Sequence, residues 1–199
     1  MSGRSVSGLW AVVLAAGESK RMNSPKLLLP FDGKTIIETV IDNIRGSVIR
    51  NIMVVLGYSF QETRLLISDP EVKTCYNSAY REGMLSSVKC GINSLPVDFE
   101  AVIVIQGDQP MIPSLVINEL VFAWQKSQKG IIIPVFMGKR GHPILIDNKY
   151  KTDIGKLNAD EGLHALPAKF GDDLLEIEIN TSVILRDIDT REDYLKEIT

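Results

Sequence analysis

The 199-residue chain is predicted to fold as a single α/β domain, a mostly parallel twisted sheet flanked by helices. Three observations predict this. Short β-rich runs alternate with helical patterns along the whole chain. Runs such as W-A-V-V-L (Trp10–Leu14) and A-V-I-V-I (Ala101–Ile105) are apolar at every position, as strands buried on both faces of a parallel sheet are. No internal repeat, low-complexity tract or Pro/Ser linker divides the chain, so the layers share one core.

The elements follow in order. Trp10 to Leu14 is the first strand and runs into Ala15-Ala16-Gly17. Thr35 to Arg45 places Ile36, Ile37, Val40, Ile41 and Ile44 on one helical face, with Thr35 and Glu38 as a capping box and Gly46 as the stop. Ile52 to Leu56 is a second buried strand ending at Gly57. Ser59 with Glu62 reads as another capping box, opening a helix that carries Leu65, Leu66 and Ile67. Val72 to Tyr76 is a strand, Met84 to Leu95 a helix, and Ala101 to Ile105 the third buried strand. Pro113 suits the first turn of a helix running to about Ser127. Ile131 to Phe136 and Pro143 to Ile146 are strands, and Leu174 to Ile179 alternates with period two. Asp189 or Thr190 caps a last helix, with Tyr194, Leu195 and Ile198 turned inward.

Composition narrows the function classes. Charged residues at 24% and hydrophobic residues at 45% describe an ordinary folded protein. With 22 Lys+Arg against 25 Asp+Glu and a net charge of −3, nonspecific nucleic-acid binding is excluded as the main function. No run reaches the ~18–20 apolar residues of a membrane span. Two cysteines, Cys75 and Cys90, make neither a disulfide framework nor a Cys-x-x-Cys metal knuckle, and are expected as reduced thiols in a cytoplasmic protein. Residues 1–8 are Ser/Gly-rich and expected to be frayed, leaving 9–199 as the domain.

In parallel sheets ligands bind beyond the carboxyl ends of the strands, so chemistry is expected just after Leu14, Leu56 and Ile105. Leu14 to Lys26 reads L-A-A-G-E-S-K-R-M-N-S-P-K. Ala15, Ala16 and Gly17 allow close backbone approach, and Arg21 and Lys26 supply two cations, as a polyanion requires. A glycine turn with two solvated cations would read the same way. Asp108, between Gly107 and Pro110 at a strand tip, could ligate Mg²⁺ on nucleotide phosphates or close an Asx turn. Asp187 and Asp189 form a second acidic pair, for which capping by Asp189 is the simpler account. There is no G-x-S-x-G elbow and no H-E-x-x-H, and the two histidines, His142 and His164, are too few for a typical zinc site.

Together these motifs are more specific than singly. L-A-A-G-x-S-x-R-M-x-x-P-K, G-D-Q-P, R-G-H-P (Arg140–Pro143) and D-I-D-T-x-E-D (Asp187–Asp193) occur in that order. From about Trp10 to Leu195 the chain resembles the nucleotidyltransferase superfamily with a GT-A-like, Rossmann-like fold. Within it the molybdenum cofactor cytidylyltransferase branch is nearest, including relatives tied to molybdenum hydroxylase maturation. The resemblance implies that Leu14, Ala15, Ala16 and Gly17 contact base and triphosphate, with Arg21 and Lys26 on the phosphates. It implies that Gly57, Asn77, Gly83, Met84 and Ser87 border the nucleobase. Asp108 would hold Mg²⁺ with Asp187 or Asp189, and His142 and Asp160 would face the acceptor. L-A-A-G is typical of cytidylyl-type members and L-A-G-G of guanylyl-type ones. The family's G-D-x-G-A-R stands here as Ala159-Asp160-Glu161-Gly162-Leu163-His164, a departure on the acceptor side.

The reaction implied is attack by an acceptor's terminal phosphate on the α-phosphate of CTP, expelling pyrophosphate. A phosphate monoester is already anionic near neutral pH, so no general base is required, which agrees with the scarcity of histidines. The implied acceptor is molybdopterin carrying molybdenum, and the implied client a molybdenum hydroxylase. A sugar phosphate or methylerythritol phosphate acceptor, or a non-catalytic cofactor carrier, stays open at this point.

Overall fold

Strand β1 (Leu9–Ala15) has neighbours on both edges and apolar layers on both faces, and the molecule is built outward from it. The structure is a computed structural model and describes residues 4–22, 24–67 and 69–198. On one side β1 pairs in parallel with β4 (Asn51–Leu56), which pairs in parallel with β5 (Val72–Tyr76) at the edge. On the other side it pairs in parallel with β6 (Ala101–Gln106). Beyond β6 the sheet continues through β9 (Ile144–Asp147), β7 (Ile131–Phe136) and β10 (Leu174–Glu178). β9 runs antiparallel to both β6 and β7, a reversal that apolar periodicity does not encode. Two short hairpins complete the strands: β2 (Pro30–Phe31) with β3 (Lys34–Thr35), and β8 (Lys139–Arg140) with the end of β7. Neither was expected, because two-residue strands leave no alternation to detect.

Period two sorts the sheet into two cores. Leu9, Ala11 and Val13 of β1 face one layer, with Ile52 and Val54 of β4 and Ile103 and Ile105 of β6 beside them. Helices α1 (Ile36–Arg45) and α4 (Ser114–Lys126) cover this face, and α2 (Phe60–Leu66) contributes Leu66 at its margin. Trp10, Val12, Met53, Val55, Val102 and Val104 face the opposite layer, made by α3 (Met84–Asn93), α5 (Lys151–Lys156) and α6 (Ala165–Lys169). Each fully buried Ile, Leu or Val contributes roughly 1.5–3 kcal/mol over exposure, so this two-sided burial dominates the stability.

Caps decide the helix ends. Thr35 accepts from the Glu38 amide while Glu38 accepts from the Thr35 amide, the expected capping box, and Gly46 closes the helix. The second expected box is not formed: the Ser59 side chain makes no capping bond, and only its carbonyl accepts from Thr63. On α7 (Arg191–Ile198) the cap is Thr190, whose Oγ1 accepts from the Asp193 amide at 3.1 Å while Asp193 Oδ2 accepts from the Thr190 amide at 2.9 Å. That releases Asp189 for another task. Leu195 and Ile198 do not turn inward as expected; both are 47% exposed, and Tyr194 instead donates its hydroxyl to the Pro30 carbonyl at 2.6 Å.

Of residues 1–8, expected to be frayed, residues 1–3 lie outside the described ones, and Arg4 makes contacts with the end of α4. Arg4 Nη1 donates to the carbonyls of Trp124, Ser127 and Lys129 at 2.6, 3.1 and 2.8 Å, collecting the unpaired end of α4. Cys75 and Cys90 are free thiols with Sγ atoms 3.8 Å apart, and burial pushes Cys75 up to about 11. Among the described residues no helix is long and apolar enough to cross a membrane.

Helix α3 approaches the sheet most closely at Gly91, where an added Cβ would lie 2.5 Å from Val12 Cγ1 and 2.9 Å from Val55 Cγ2. Ala is normally favoured over Gly in a helix by up to ~1 kcal/mol, but overpacking costs ~1–3 kcal/mol. Gly91→Ala is therefore expected to lower the melting temperature. A higher one would mean that α3 can lift off the sheet without cost.

Candidate active site

The carboxyl ends of β1 and β6 open onto a cleft of about 430 Å³. Because β9 is antiparallel, its beginning rather than its end lies at this edge, which carries His142 to the same side. The loop after β1 forms one wall. Ser19 takes a positive φ of 51°, its carbonyl accepts from the Met22 amide at 2.9 Å, and its hydroxyl accepts from the Lys26 amide at 3.2 Å. These bonds hold Met22 and Lys26 against Ser19. Gly57 acts from behind: a Cβ there would meet the Ala16 carbonyl oxygen at 2.6 Å, so only glycine lets β4 support that loop so closely.

The opposite wall is the turn at Tyr80 and Arg81 with the amino end of α3, where Gly83, Met84 and Ser87 line the cleft. Gly83 opens that helix with φ +98°, a conformation side chains resist. The helix thus points its positive end at the cavity. Asn77 lies behind this wall, 4% exposed. Its Nδ2 donates to Ser86 Oγ and Ser87 Oγ at 2.9 and 3.0 Å, and its Oδ1 accepts from the Ala79 amide. All its polar atoms are engaged, so it fixes the two serines instead of lining the cleft itself.

Charge gathers on the floor. The Ile188 amide donates to the Asp108 carbonyl at 3.0 Å, tying the segment before α7 to the tip of β6. Ile188 is fully buried, which leaves its neighbours Asp187 and Asp189 outside the core beside Asp108. Lys26 Nζ donates to Asp108 Oδ2 at 2.5 Å and to Asp189 Oδ1 at 2.9 Å; Arg21 Nη2 reaches Asp189 Oδ2 at 2.7 Å. Burial opposes the Lys26 charge, but the two carboxylates outweigh it and raise its pKa. For Asp189, burial pulls upward and the bonds from Lys26 and Arg21 prevail, so its pKa is lowered. Asp187 goes the other way, raised by lost hydration and by repulsion from Asp189 and Asp108. Asp189 is therefore no helix cap, which corrects the simpler sequence reading.

Among the described residues no three His, Cys, Asp or Glu side chains gather closely enough to cage a metal ion. Two carboxylates with room for phosphate oxygens suit Mg²⁺, which seldom takes an all-protein cage. Asp108 Oδ1 is buried without a partner, a free lone-pair site of the kind a hard cation takes. The residues fit such an ion.

Most expected site residues meet here. Leu14, Ala16, Gly17, Arg21, Lys26, Gly83, Ser87, Asp108 and Asp189 line one cavity. Ala15, Gly57 and Asn77 support it from behind; the Ala15 side chain is in the core. His142 donates its amide to the Ile184 carbonyl at 2.9 Å and lies close enough to Asp108 to feel its charge. Asp160 is exposed in the turn between α5 and α6 and is not part of the cleft lining. Glu18 and Arg81 were missed. Glu18 pairs with Lys20 at 2.8 Å and with Arg81 at 3.5 Å, joining the two walls at the mouth. Arg81 stands two residues before Gly83, so proximity to that motif was the one available signal.

Comparison with known proteins identifies the family and the fold. Over 192 residues the chain is 30% identical to the molybdenum cofactor cytidylyltransferase of Escherichia coli, covering 96% of this chain and 95% of that one. The crystal structure of Rv0371c from Mycobacterium tuberculosis superposes with a TM-score of 0.86 at 22% identity, covering 96% of each chain. The 4-diphosphocytidyl-2C-methyl-D-erythritol synthase of Anaerococcus prevotii shares the fold with a TM-score of 0.73 at 17% identity, again covering 96% of each chain. Residues 11–174 match the MobA-like NTP transferase domain. The chain belongs to that family and is an enzyme of the nucleotidyltransferase type.

Proposed function

We propose that this enzyme transfers CMP from CTP to the terminal phosphate of a molybdopterin-type molybdenum cofactor in the cytoplasm, releasing pyrophosphate, and that a molybdenum hydroxylase takes the product. The observation that carries the reading is the meeting of Arg21, Lys26, Asp108 and Asp189 at the carboxyl edge of β1 and β6. The cytidylyltransferase relative, matched over nearly its whole length, supports the choice of nucleotide and acceptor.

In this reading an acceptor phosphate oxygen bonds to the α-phosphorus, the bond to the bridging oxygen breaks, and its electron pair leaves with pyrophosphate. No proton need move, so the residues act by position and charge. The loop from Ala16 to Lys26 holds the triphosphate, and Arg21 and Lys26 neutralise it. Asp108, with Asp187 or Asp189, would hold Mg²⁺. Bound there, Mg²⁺ supplies positive charge to the phosphate oxygens as negative charge shifts toward the leaving group. His142, just before β9 and beside Asp108, would face the acceptor, whereas Asp160 could reach it only from outside the cleft.

Pyrophosphate release tests the whole reading. Turnover is expected with CTP above GTP, and with a molybdopterin-type acceptor above sugar phosphates or methylerythritol phosphate. No turnover with any acceptor, alongside tight cofactor binding, would make the protein a carrier. Lys26→Ala should weaken nucleotide binding by ~1.5–3 kcal/mol, and Asp108→Asn should abolish turnover with the fold intact. Full activity in Asp108→Asn would remove the metal assignment.

Asp189 and Thr190 separate site from scaffold. Asp189→Asn takes charge from the group that Lys26 and Arg21 share and is expected to cut turnover at least ~10-fold. Thr190→Ala loses a cap, costing ~1 kcal/mol of stability with turnover kept. The opposite pattern in paired kinetic and unfolding measurements would return Asp189 to a structural role.

His142 predicts a pH effect. Burial holds its imidazole below the ordinary 6.5, with Asp108 pulling part of the way back, and its Nδ1 has no partner. Below the ordinary value the unfolded chain takes up a proton that the folded one refuses, so stability falls as the pH drops through that range. Urea unfolding at about pH 7.5 and about pH 5.5 should show that His142→Gln loses less stability on acidification than the wild type. Equal losses would mean the imidazole is protonated freely in the fold.

A further inference from the structure

Lys26 occupies the place between the carboxylates where a divalent cation would bridge them. Its ammonium lies within hydrogen-bond reach of both Asp108 Oδ2 and Asp189 Oδ1, and its side chain is only 12% exposed. Both belong to the carboxylates that would hold a metal, and beside them only Asp108 Oδ1 is buried without a partner. Ionised, Asp108, Asp187 and Asp189 carry three negative charges against the two positive charges of Lys26 and Arg21. A doubly charged ion entering while Lys26 stays would overshoot that balance and set two cations against the same oxygens. Yet the carboxylates cannot complete a metal shell by themselves, since no three-ligand cage exists among the described residues. Water and, once a nucleotide is bound, phosphate oxygens supply the rest.

The two needs are met by one movement. Lys26 lines the same cavity as Ala16 and Gly17, so a triphosphate laid on that loop offers its Nζ a new anionic partner. Its flexible four-carbon stem lets the ammonium change partners without moving the backbone. We propose that Lys26 is the resting counter-ion of this site, releasing Asp108 and Asp189 only when a nucleoside triphosphate takes their place, so that nucleotide and divalent cation bind as a coupled pair. This rests on the nucleotidyl-transfer reading and adds an order of events to it. The coupling must be reciprocal: whatever factor the nucleotide adds to metal affinity, the metal adds to nucleotide affinity. The competing arrangement has Lys26 fixed in place while an ion uses only the unpartnered Asp108 Oδ1.

Mn²⁺ titration by electron paramagnetic resonance separates these, using wild type, Lys26→Met and Lys26→Arg, each with and without an α,β-methylene analogue of CTP. Without nucleotide, Lys26→Met should bind Mn²⁺ at least ~10-fold tighter than wild type, equivalent to ~1.4 kcal/mol, while Lys26→Arg stays weak. The analogue should tighten Mn²⁺ binding to wild type by at least ~10-fold and to Lys26→Met by much less. Equal Mn²⁺ affinity in wild type and Lys26→Met without nucleotide overturns the proposal, as does an equal analogue effect in both. Tight analogue binding with either of those results sinks the coupling alone. An analogue that fails to bind the wild type under any condition sinks the nucleotidyl-transfer reading with it. Lys26→Met also strands two carboxylates, so its melting temperature gives a second readout. Mn²⁺ should raise it more than it raises that of the wild type, and an equal or smaller rise overturns the proposal.

Discussion

A strand with no exposed face dictates the rest of this molecule. Because β1 is covered by parallel partners on both edges and apolar layers on both sides, its polar work can only be done where it ends. The same holds for β4, and for β6 with antiparallel β9 on its outer edge. These three strands, apolar through their middles, end at one edge; the loops after β1 and β6 line the cleft, and Gly57 after β4 backs the first of them. Glycine positions show how closely the loops are stacked there. Gly57 leaves no room for a Cβ against the Ala16 carbonyl, and Gly107, after β6, would press one to 2.8 Å from the Leu14 carbonyl.

Gathering carboxylates at that edge has a cost that the fold must offset. Asp187 has lost part of its hydration and is repelled by Asp189 and Asp108, so its pKa is raised. Lys26 and Arg21 counter this for Asp189, whose pKa ends up below the ordinary value. The loop that would bind an anionic substrate is thus also the loop that makes the resting site tolerable. Binding chemistry and folding stability draw on the same two cations, which is why substitutions there cannot be expected to separate the two cleanly.

The sequence made the layered α/β class, the three buried strands and the helices around them legible, since continuous apolar runs and capping boxes are local signals. What it hid was non-local. The antiparallel sense of β9 depends on its pairing with β6 and β7, and Pro143 to Ile146 reads as the same apolar run in either direction. The site divides along the same line. Ala16, Gly17, Arg21, Lys26 and Asp108 declared themselves by spacing and by position after strands. Asp189 read from its residues as a cap and entered the site only through the resemblance; the Ile188–Asp108 backbone bond and the Lys26 contact show that it faces Lys26. Asn77 was placed near the right wall, yet its role behind Ser86 and Ser87 follows from hydrogen bonds that no spacing displays.

The segment past β10 gives the site its completeness. It contributes Asp187 and Asp189, and it is held to the sheet by few but well-placed contacts: the buried Ile184 and Ile188, the His142 amide on the Ile184 carbonyl, and the Ile188 amide on the Asp108 carbonyl. Gly141 makes this seating possible, because a Cβ there would lie 2.3 Å from the Ile184 carbonyl oxygen. R-G-H-P thus carries a packing requirement beside its chemical one: the glycine admits the crossing segment, and the histidine anchors it through its backbone while its ring stays buried near Asp108. The beginning of β9, the tip of β6 and the crossing segment form one unit, in which the last acidic arm is positioned by contacts to the same residues that are read as facing the acceptor. The Lys26 side chain and the crossing segment both meet Asp108, one at its carboxylate and the other at its carbonyl.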